Sequence, residues 1–86
     1  MNKLYKVLIV DDEMLIRQGI INYIDWEKEG YQIIGEAANG EEALALLEKE
    51  RPDIIITDIV MPEMDGIELV KIAKEKKSSG QHYYLE

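Results

Sequence analysis

Residues 7–13 read VLIVDDE, a run of four apolar side chains followed directly by three acids. A continuous apolar run of this length is typical of a strand buried on both faces, as in a parallel sheet covered by helices. The acids raise a different question, because like charges about 4 Å apart repel by roughly 4 kcal/mol at an effective dielectric constant of about 20. We therefore expect a positive charge against them.

The rest of the chain alternates between strand-like and helix-like patterns. Strands are predicted at residues 3–10, 31–37 and 53–57, and helices at about 14–26, 40–51 and 66–77. Alternation at these lengths predicts an α/β fold with right-handed crossovers and a parallel sheet that has helices on its faces. The second strand, YQIIGEA, is less uniformly apolar, which predicts a place near a sheet edge.

Each predicted helix has its own signals. Gly30 is the predicted left-handed stop after the first helix, and Asn39 with Glu42 predicts a capping box before the second. The first helix carries one apolar stripe: Leu15, Ile16, Gly19, Ile20, Tyr23 and Ile24. The residues predicted to face inward on the other two are Ala43, Leu44, Leu46 and Leu47, then Ile67, Val70 and Ala73 or Lys74.

Composition limits the possible functions. The chain has 86 residues, enough for one small domain, and a net charge of −8 argues against direct nucleic-acid binding by this segment. No apolar run approaches the roughly 20 residues that span a bilayer. The absence of cysteine fits a reducing cytoplasm, so we expect a cytoplasmic protein without membrane contact.

Three acids fall where the first and third strands end. Asp11 and Asp12 follow the first strand, and Asp58 follows the third. If these strands are neighbours, the three carboxylates converge beyond their carboxyl ends, and such a set suits Mg²⁺. Two plainer interpretations stay open: acids at a helix N-terminus for residues 11–13, and a turn residue at the strand end for Asp58.

The segments VLIVDDE, GEAANGEEALALL and PDIIITDIVMPEMDGIELV together resemble the receiver domain of bacterial two-component response regulators. The resemblance covers residues 3 to about 76. The stretch IDWEKEGYQIIGEAANG is similar to receivers that precede AraC-type output domains.

The resemblance implies a phosphoacceptor site. Asp58 is expected to take a phosphoryl group from a histidine kinase in a transient complex. Asp12, Asp58 and the backbone carbonyl of Val60 are expected to hold Mg²⁺, with Asp11 acting mainly through a water molecule. Glu13 is expected to tune this cluster, and Pro62 and Gly66 to shape the loop that presents Asp58. A protein of this kind receives a phosphoryl group in signal transduction and is not expected to be an enzyme.

The chain departs from the family pattern after the third helix. Family members have a flavodoxin-like, doubly wound sheet of order 2-1-3-4-5, whose fourth and fifth strands supply a Ser or Thr and a Lys. We predict a truncated receiver domain at residues 1–77, followed by a non-family tail at 78–86 that is flexible, derived from cloning or able to add a makeshift strand. This fragment is expected to be switch-defective, with a bare third strand and a homo-oligomeric state.

Other functions stay open. One is a truncated fragment with no function of its own. Another is a Mg²⁺-dependent phosphohydrolase, although such enzymes typically carry a second Asp two residues after the nucleophile, where this chain has Val60. A nucleotide-binding module is disfavoured, since no glycine-rich turn follows the first strand. Met61 and Met64 are expected to pack, and His82 is expected to have no functional role.

Overall fold

The computed structural model describes residues 3–58, 64–76 and 82–85. The strands are β1 (Tyr5–Val10), β2 (Tyr31–Ala37), β3 (Ile54–Thr57) and β4 (His82–Leu85), and the helices are α1 (Met14–Tyr23), α2 (Gly40–Glu50) and α3 (Gly66–Lys76). All six elements predicted from the sequence are therefore confirmed. Within the described ranges, no helix is long and apolar enough to cross a membrane.

The four strands form one parallel sheet in the order β2-β1-β3-β4. β2 lies at an edge, as its weaker apolar pattern predicted. β1 lies in the middle, which explains why its last four residues are apolar and buried. The strand order reverses beside β1, so the chain has a partial flavodoxin-like, doubly wound architecture, as predicted.

β4 corrects the expectation of a bare edge at β3. Ile54 pairs with Val7 of β1 on one side and with His82 of β4 on the other, so β3 is covered along both sides. The tail does add a strand, and its two tyrosines are residues that favour this conformation. The boundary between residues 77 and 78 stays a prediction, because 77–81 lie outside the described residues.

The main hydrophobic core lies between the sheet and the pair α2 and α3. Leu8, Val10 and Ile55 point to this side of the sheet, where they meet buried residues of both helices. The helix residues in this core are Ala43, Leu47, Leu69 and Ala73, with Leu44, Leu46 and Met64 partly buried against it. The predicted inner face of α2 and the packing role of Met64 are confirmed, while Met61 lies outside the described residues.

α1 lies on the opposite face of the sheet and is poorly covered. None of its residues is buried, and Leu15 and Tyr23 are 83% and 90% exposed. Apart from Leu15, the residues of the apolar stripe line an open groove of about 530 Å³, together with Trp26 and Ile56. The stripe therefore exists as predicted, but its apolar surface is left largely open to solvent.

The end of α1 differs from the prediction. The helix ends at Tyr23, three residues earlier than expected, because the indole N–H of Trp26 donates to the carbonyl oxygen of Ile21 at 3.1 Å. That contact folds the following residues back as a turn. Gly30 has the predicted left-handed conformation (φ 96°), but it closes this turn before β2 and does not end the helix.

α2 begins and ends with identifiable caps. The side chain of Asn39 accepts the Glu42 N–H at 2.9 Å, and the Glu42 carboxylate accepts the Ala38 N–H at 2.9 Å, so the predicted capping box is confirmed. At the other end, Arg51 takes a left-handed conformation (φ 48°) and its N–H donates to the carbonyl oxygen of Leu47. Pro52 then prevents continuation of the helix.

The inner face of α3 is rotated relative to the prediction. Leu69, Val70 and Ala73 are buried, whereas Ile67 is 46% exposed and Lys74 is exposed. Ile67 was therefore wrong as an inward residue, Ala73 and not its alternative Lys74 faces inward, and Leu69 was missed. Leu69 and Ala73 are four positions apart and share a face, while Ile67 lies more than half a turn away from Leu69.

Candidate functional site

The ends of β1 and β3 lie level with each other at one edge of the sheet. Val10 pairs with Thr57, and the N–H of Asp58 donates to the carbonyl oxygen of Val10 at 3.0 Å. On the other side, the N–H of Asp11 donates to the carbonyl oxygen of Ala37 at 3.0 Å, at the end of β2. Adjacent parallel strands therefore bring acids from two distant parts of the sequence to one edge of the sheet.

Three carboxylates meet at this edge. Asp11, Asp12 and Asp58 each offer a carboxylate oxygen, and these oxygens lie within 4.8 Å of one another. Asp11 is buried, Asp58 is intermediate and Asp12 is exposed, so the cluster opens to solvent on one side. The predicted convergence of the carboxylates is confirmed, while their roles as ligands and phosphoacceptor stay predictions.

Asp11 is held from its side chain as well as from its backbone. Its Oδ1 accepts the N–H of Glu13 at 2.8 Å, a contact that also satisfies a donor at the start of α1. Glu13 occupies the N-cap position, but its own side chain makes no capping hydrogen bond and is exposed. Glu13 therefore contributes to the cluster through its main chain, and its predicted tuning role stays a prediction.

Arg17 was missed by the sequence reasoning. Its Nη1 donates to the carbonyl oxygen of Asp11 at 2.6 Å, and its Nε donates to Oε1 of Glu36 in β2 at 2.7 Å. A signal was available, because Arg17 is the only basic residue between Lys6 and Lys28 and stands in an otherwise uncharged helix. Its guanidinium supplies positive charge beside the acids.

The other residues singled out in the sequence are partly within the described ranges. Val60 and Pro62 lie outside the described residues. Gly66 is the first residue of α3, directly after Asp65, whose carboxylate accepts the N–H of Glu68 at 2.8 Å. His82 lies in β4, on the strand that covers β3.

The donor set fits Mg²⁺. All three side chains offer carboxylate oxygens, which hard cations prefer, and a partly open cluster leaves room for the waters and phosphate oxygen that Mg²⁺ usually keeps. The three carboxylate oxygens lie close enough together to bind one ion. Among the described residues, the cluster contains no imidazole or thiolate, the ligands that favour transition metals.

Comparison with known proteins decides the family. The family model for the response regulator receiver domain matches residues 7–83. The chain belongs to the response regulator receiver family. The match extends into the residues that form β4, beyond the range over which the sequence motifs suggested the resemblance.

This receiver is similar to longer regulatory proteins. It is 47% identical over 82 residues to the transcriptional regulatory protein YesN of Bacillus subtilis, and covers 95% of its own chain in that match. Among solved structures, the receiver (REC) domain of AraT from Geobacillus stearothermophilus superposes with a TM-score of 0.86 at 44% identity, over 95% of this chain. The two-component transcriptional regulator AraC from Clostridium phytofermentans superposes with a TM-score of 0.85 at 36% identity, over 94%.

These matches confirm the predicted similarity to receivers of AraC-type regulators. The chain spans 22% of the length of YesN and 63% and 64% of the two solved chains. Its relatives are response regulators, which places the chain among signalling receivers.

Proposed function

We propose that this receiver accepts a phosphoryl group from a histidine kinase onto Asp58, and that Mg²⁺ bound at the acidic cluster supports the transfer. The observation that carries the proposal is the meeting of Asp11, Asp12 and Asp58 carboxylate oxygens within 4.8 Å, although Asp12 and Asp58 are 46 residues apart in the chain. Plain helix-start or turn roles for these acids do not explain why both groups converge on one edge.

In the proposed reaction, a carboxylate oxygen of Asp58 attacks the phosphorus of a phosphohistidine. The new O–P bond forms an acyl phosphate as the N–P bond breaks, and the electron pair returns to the imidazole nitrogen of the kinase. A carboxylate needs no deprotonation before this attack, so what the protein must supply is alignment and charge compensation. The hydrogen bond from Asp58 N–H to Val10 supports the alignment, because it anchors the backbone of the nucleophile to β1.

Asp11, Asp12 and Asp58, together with the carbonyl of Val60, are the proposed ligands of Mg²⁺. When bound, the ion neutralises negative charge that spreads over the phosphoryl oxygens. Asp11 is buried and hydrogen-bonded to Glu13, which makes it the rigid member of the set. Asp12 is exposed, so it is the member of the set most accessible to solvent.

The 86-residue chain by itself is proposed to be switch-defective. In the family, a Ser or Thr and a Lys from later strands contact the phosphoryl group, and no residue of this sequence stands in the context of either. Phosphorylation changes the local charge by about −1.5 to −2. Without the Ser or Thr and the Lys, fewer side chains contact the phosphoryl group, so this charge change is coupled less strongly to a conformational switch. We therefore expect feeble phosphotransfer from a small phosphodonor.

A Mg²⁺ titration followed by amide NMR, with and without beryllofluoride, tests the proposal. We expect Mg²⁺ to shift the amide signals of residues 11–13 and 58, and beryllofluoride to add little in the isolated chain. The Asp58→Asn variant is the matched control, since it keeps the side-chain shape and removes one charged ligand. Absence of any Mg²⁺ response at these residues in the unaltered chain would contradict the metal site.

Additional assays separate the competing functions. A phosphohydrolase would turn over a chromogenic phosphate ester, and we expect no turnover. A fragment without function would bind neither Mg²⁺ at the cluster nor a phosphoryl group at Asp58. Strong phosphorylation, close to that of a longer receiver of the same family, would contradict the switch-defective proposal.

Two further expectations concern partners and location. The open apolar groove beside α1 supports a homo-oligomer, because exposed apolar patches promote association. The net charge of −8 supports the absence of direct nucleic-acid contact. A cytoplasmic location without membrane contact is proposed by analogy with the signalling family.

A further inference from the structure

Arg17 connects three parts of the fold next to the acidic cluster. It stands on α1, donates through Nη1 to the carbonyl oxygen of Asp11 after β1, and donates through Nε to Glu36 on β2. Glu36 Oε1 also accepts the side-chain amide of Gln18 at 2.6 Å, so the carboxylate is fixed by two donors from α1. A planar guanidinium suits this task, because its fork holds two acceptors in one fixed geometry.

Arg17 donates to the main-chain carbonyl of Asp11 and not to its carboxylate. The carbonyl oxygen of Asp11 belongs to the peptide unit that joins Asp11 to Asp12, the two acids contributed by the end of β1. Other hydrogen bonds already hold Asp11 at its N–H, through Ala37, and at its carboxylate, through Glu13. The contact from Arg17 completes this set and restricts rotation of the peptide that carries Asp12.

The contact is also sheltered. The Arg17 side chain is only 12% exposed, against 40% for Glu36, so the guanidinium end of this pair lies largely out of water. Hydrogen bonds from a charged donor in such a place are stronger than neutral ones and are less weakened by solvent. The Arg17 bridge can therefore fix the conformation of the Asp11–Asp12 peptide in addition to supplying positive charge.

We propose that Arg17 is a positioning residue for the acidic cluster: it holds the Asp11–Asp12 peptide so that the Asp12 carboxylate meets those of Asp11 and Asp58. The inference rests on the proposed function in so far as Mg²⁺ is the ligand. Charge and position make opposite predictions here. A nearby positive charge by itself weakens cation binding, whereas correct placement of two carboxylates strengthens it.

The test compares Mg²⁺ affinity by amide NMR in the unaltered 86-residue chain and in Arg17→Met, Arg17→Lys and Glu36→Gln. We expect Arg17→Met to weaken Mg²⁺ binding about 10-fold. Loss of a group that hydrogen-bonds to a metal-binding residue commonly lowers metal affinity by roughly 10- to 100-fold. Arg17→Lys keeps the charge but not the fork, so most of the weakening should remain. Glu36→Gln keeps an oxygen acceptor, and a smaller weakening is expected.

The control is Lys28→Met, which removes the same charge from an exposed turn before β2, away from the cluster. It should leave Mg²⁺ affinity unchanged. If Arg17→Met binds Mg²⁺ more tightly while Arg17→Lys is unchanged, Arg17 acts through charge alone and the proposal is wrong. If the Arg17 variants lose only thermal stability and bind Mg²⁺ normally when folded, the role is purely structural and the proposal is also wrong.

A second measurement does not depend on the metal. In the metal-free protein, Arg17→Met should speed hydrogen exchange of the Glu13 amide by about 5- to 10-fold, the loss expected for one hydrogen bond of ordinary net strength. Lys28→Met should not. If the unaltered chain fails to bind Mg²⁺, the proposed function fails, and this exchange rate still decides whether Arg17 orders the acid loop. Unchanged exchange at Glu13 would overturn the inference.

Discussion

The main-chain N–H of Asp58 donates to the carbonyl oxygen of Val10 at 3.0 Å, which places the end of β3 directly beside the end of β1. Because Asp11 follows Val10 and Asp58 follows Thr57, these two acids leave the ends of β1 and β3 at the same level. The carboxylate cluster is therefore a consequence of strand pairing and needs no special loop to bring the residues together.

The first prediction concerns charge at the cluster. Asp58→Asn should raise the free energy of unfolding of the metal-free chain by on the order of 1 kcal/mol, the repulsion of two unit charges about 4 Å apart in water. The same variant should gain much less stability from Mg²⁺ than the unaltered chain, which should gain about 2.7 kcal/mol at a Mg²⁺ concentration 100 times its dissociation constant. Urea unfolding with Mg²⁺ or with EDTA measures both. Equal stabilisation of the two proteins by Mg²⁺ would place the ion elsewhere.

The second prediction concerns two glycines in helices. A Cβ on Gly40 would lie 2.6 Å from Sδ and 2.9 Å from Cβ of Met64, whereas a Cβ on Gly19 meets nothing within 4 Å. Gly40→Ala should destabilise the chain by about 1–3 kcal/mol through overpacking. Gly19→Ala, the matched control, should stabilise it by up to about 1 kcal/mol through helix propensity. Thermal unfolding checks both, and a harmless Gly40→Ala would show that Met64 can move aside.

The third prediction concerns the capping box of α2. Asn39→Ala should lower the free energy of unfolding by about 1 kcal/mol, because the N–H of Glu42 loses its acceptor. Glu41→Ala alters an exposed acid in the same first turn and serves as the control, with a loss of about 0.3–1 kcal/mol at most from the helix dipole. Urea titrations followed by Trp26 fluorescence suit this comparison. A control loss larger than that of Asn39→Ala would show that charge, not capping, governs the helix start.

The fourth prediction concerns association through the face of α1. Tyr23→Glu places a charge in the open groove, and should shift the chain towards the monomer in light scattering across a concentration series. Ile67→Glu, on an exposed position of α3, makes a comparable change on the other face of the sheet and should not. If the unaltered chain is monomeric at high concentration, or if both variants dissociate equally, association through this groove is wrong.

Sequence patterning accounted for much of the fold because local signals agreed with it. The apolar run ending at Val10 predicted a central strand, Asn39 and Glu42 predicted the start of α2, and both were confirmed. Prediction was weaker for features that depend on a contact with another residue, such as the point where a helix ends. The end of α1 was misplaced because the indole of Trp26 folds back onto Ile21, and that contact has no local pattern.

The sequence by itself determined the order of elements, the acids at the strand ends and the family motifs, since these depend on side-chain period and on residues adjacent in the chain. Only the tertiary structure decided that residues 82–85 cover β3, that Leu69 and not Ile67 faces the core, and that Arg17 bridges Asp11 and Glu36. Each of these depends on which distant residue supplies a hydrogen-bond partner or an apolar surface. That choice is made when the sheet and helices pack together.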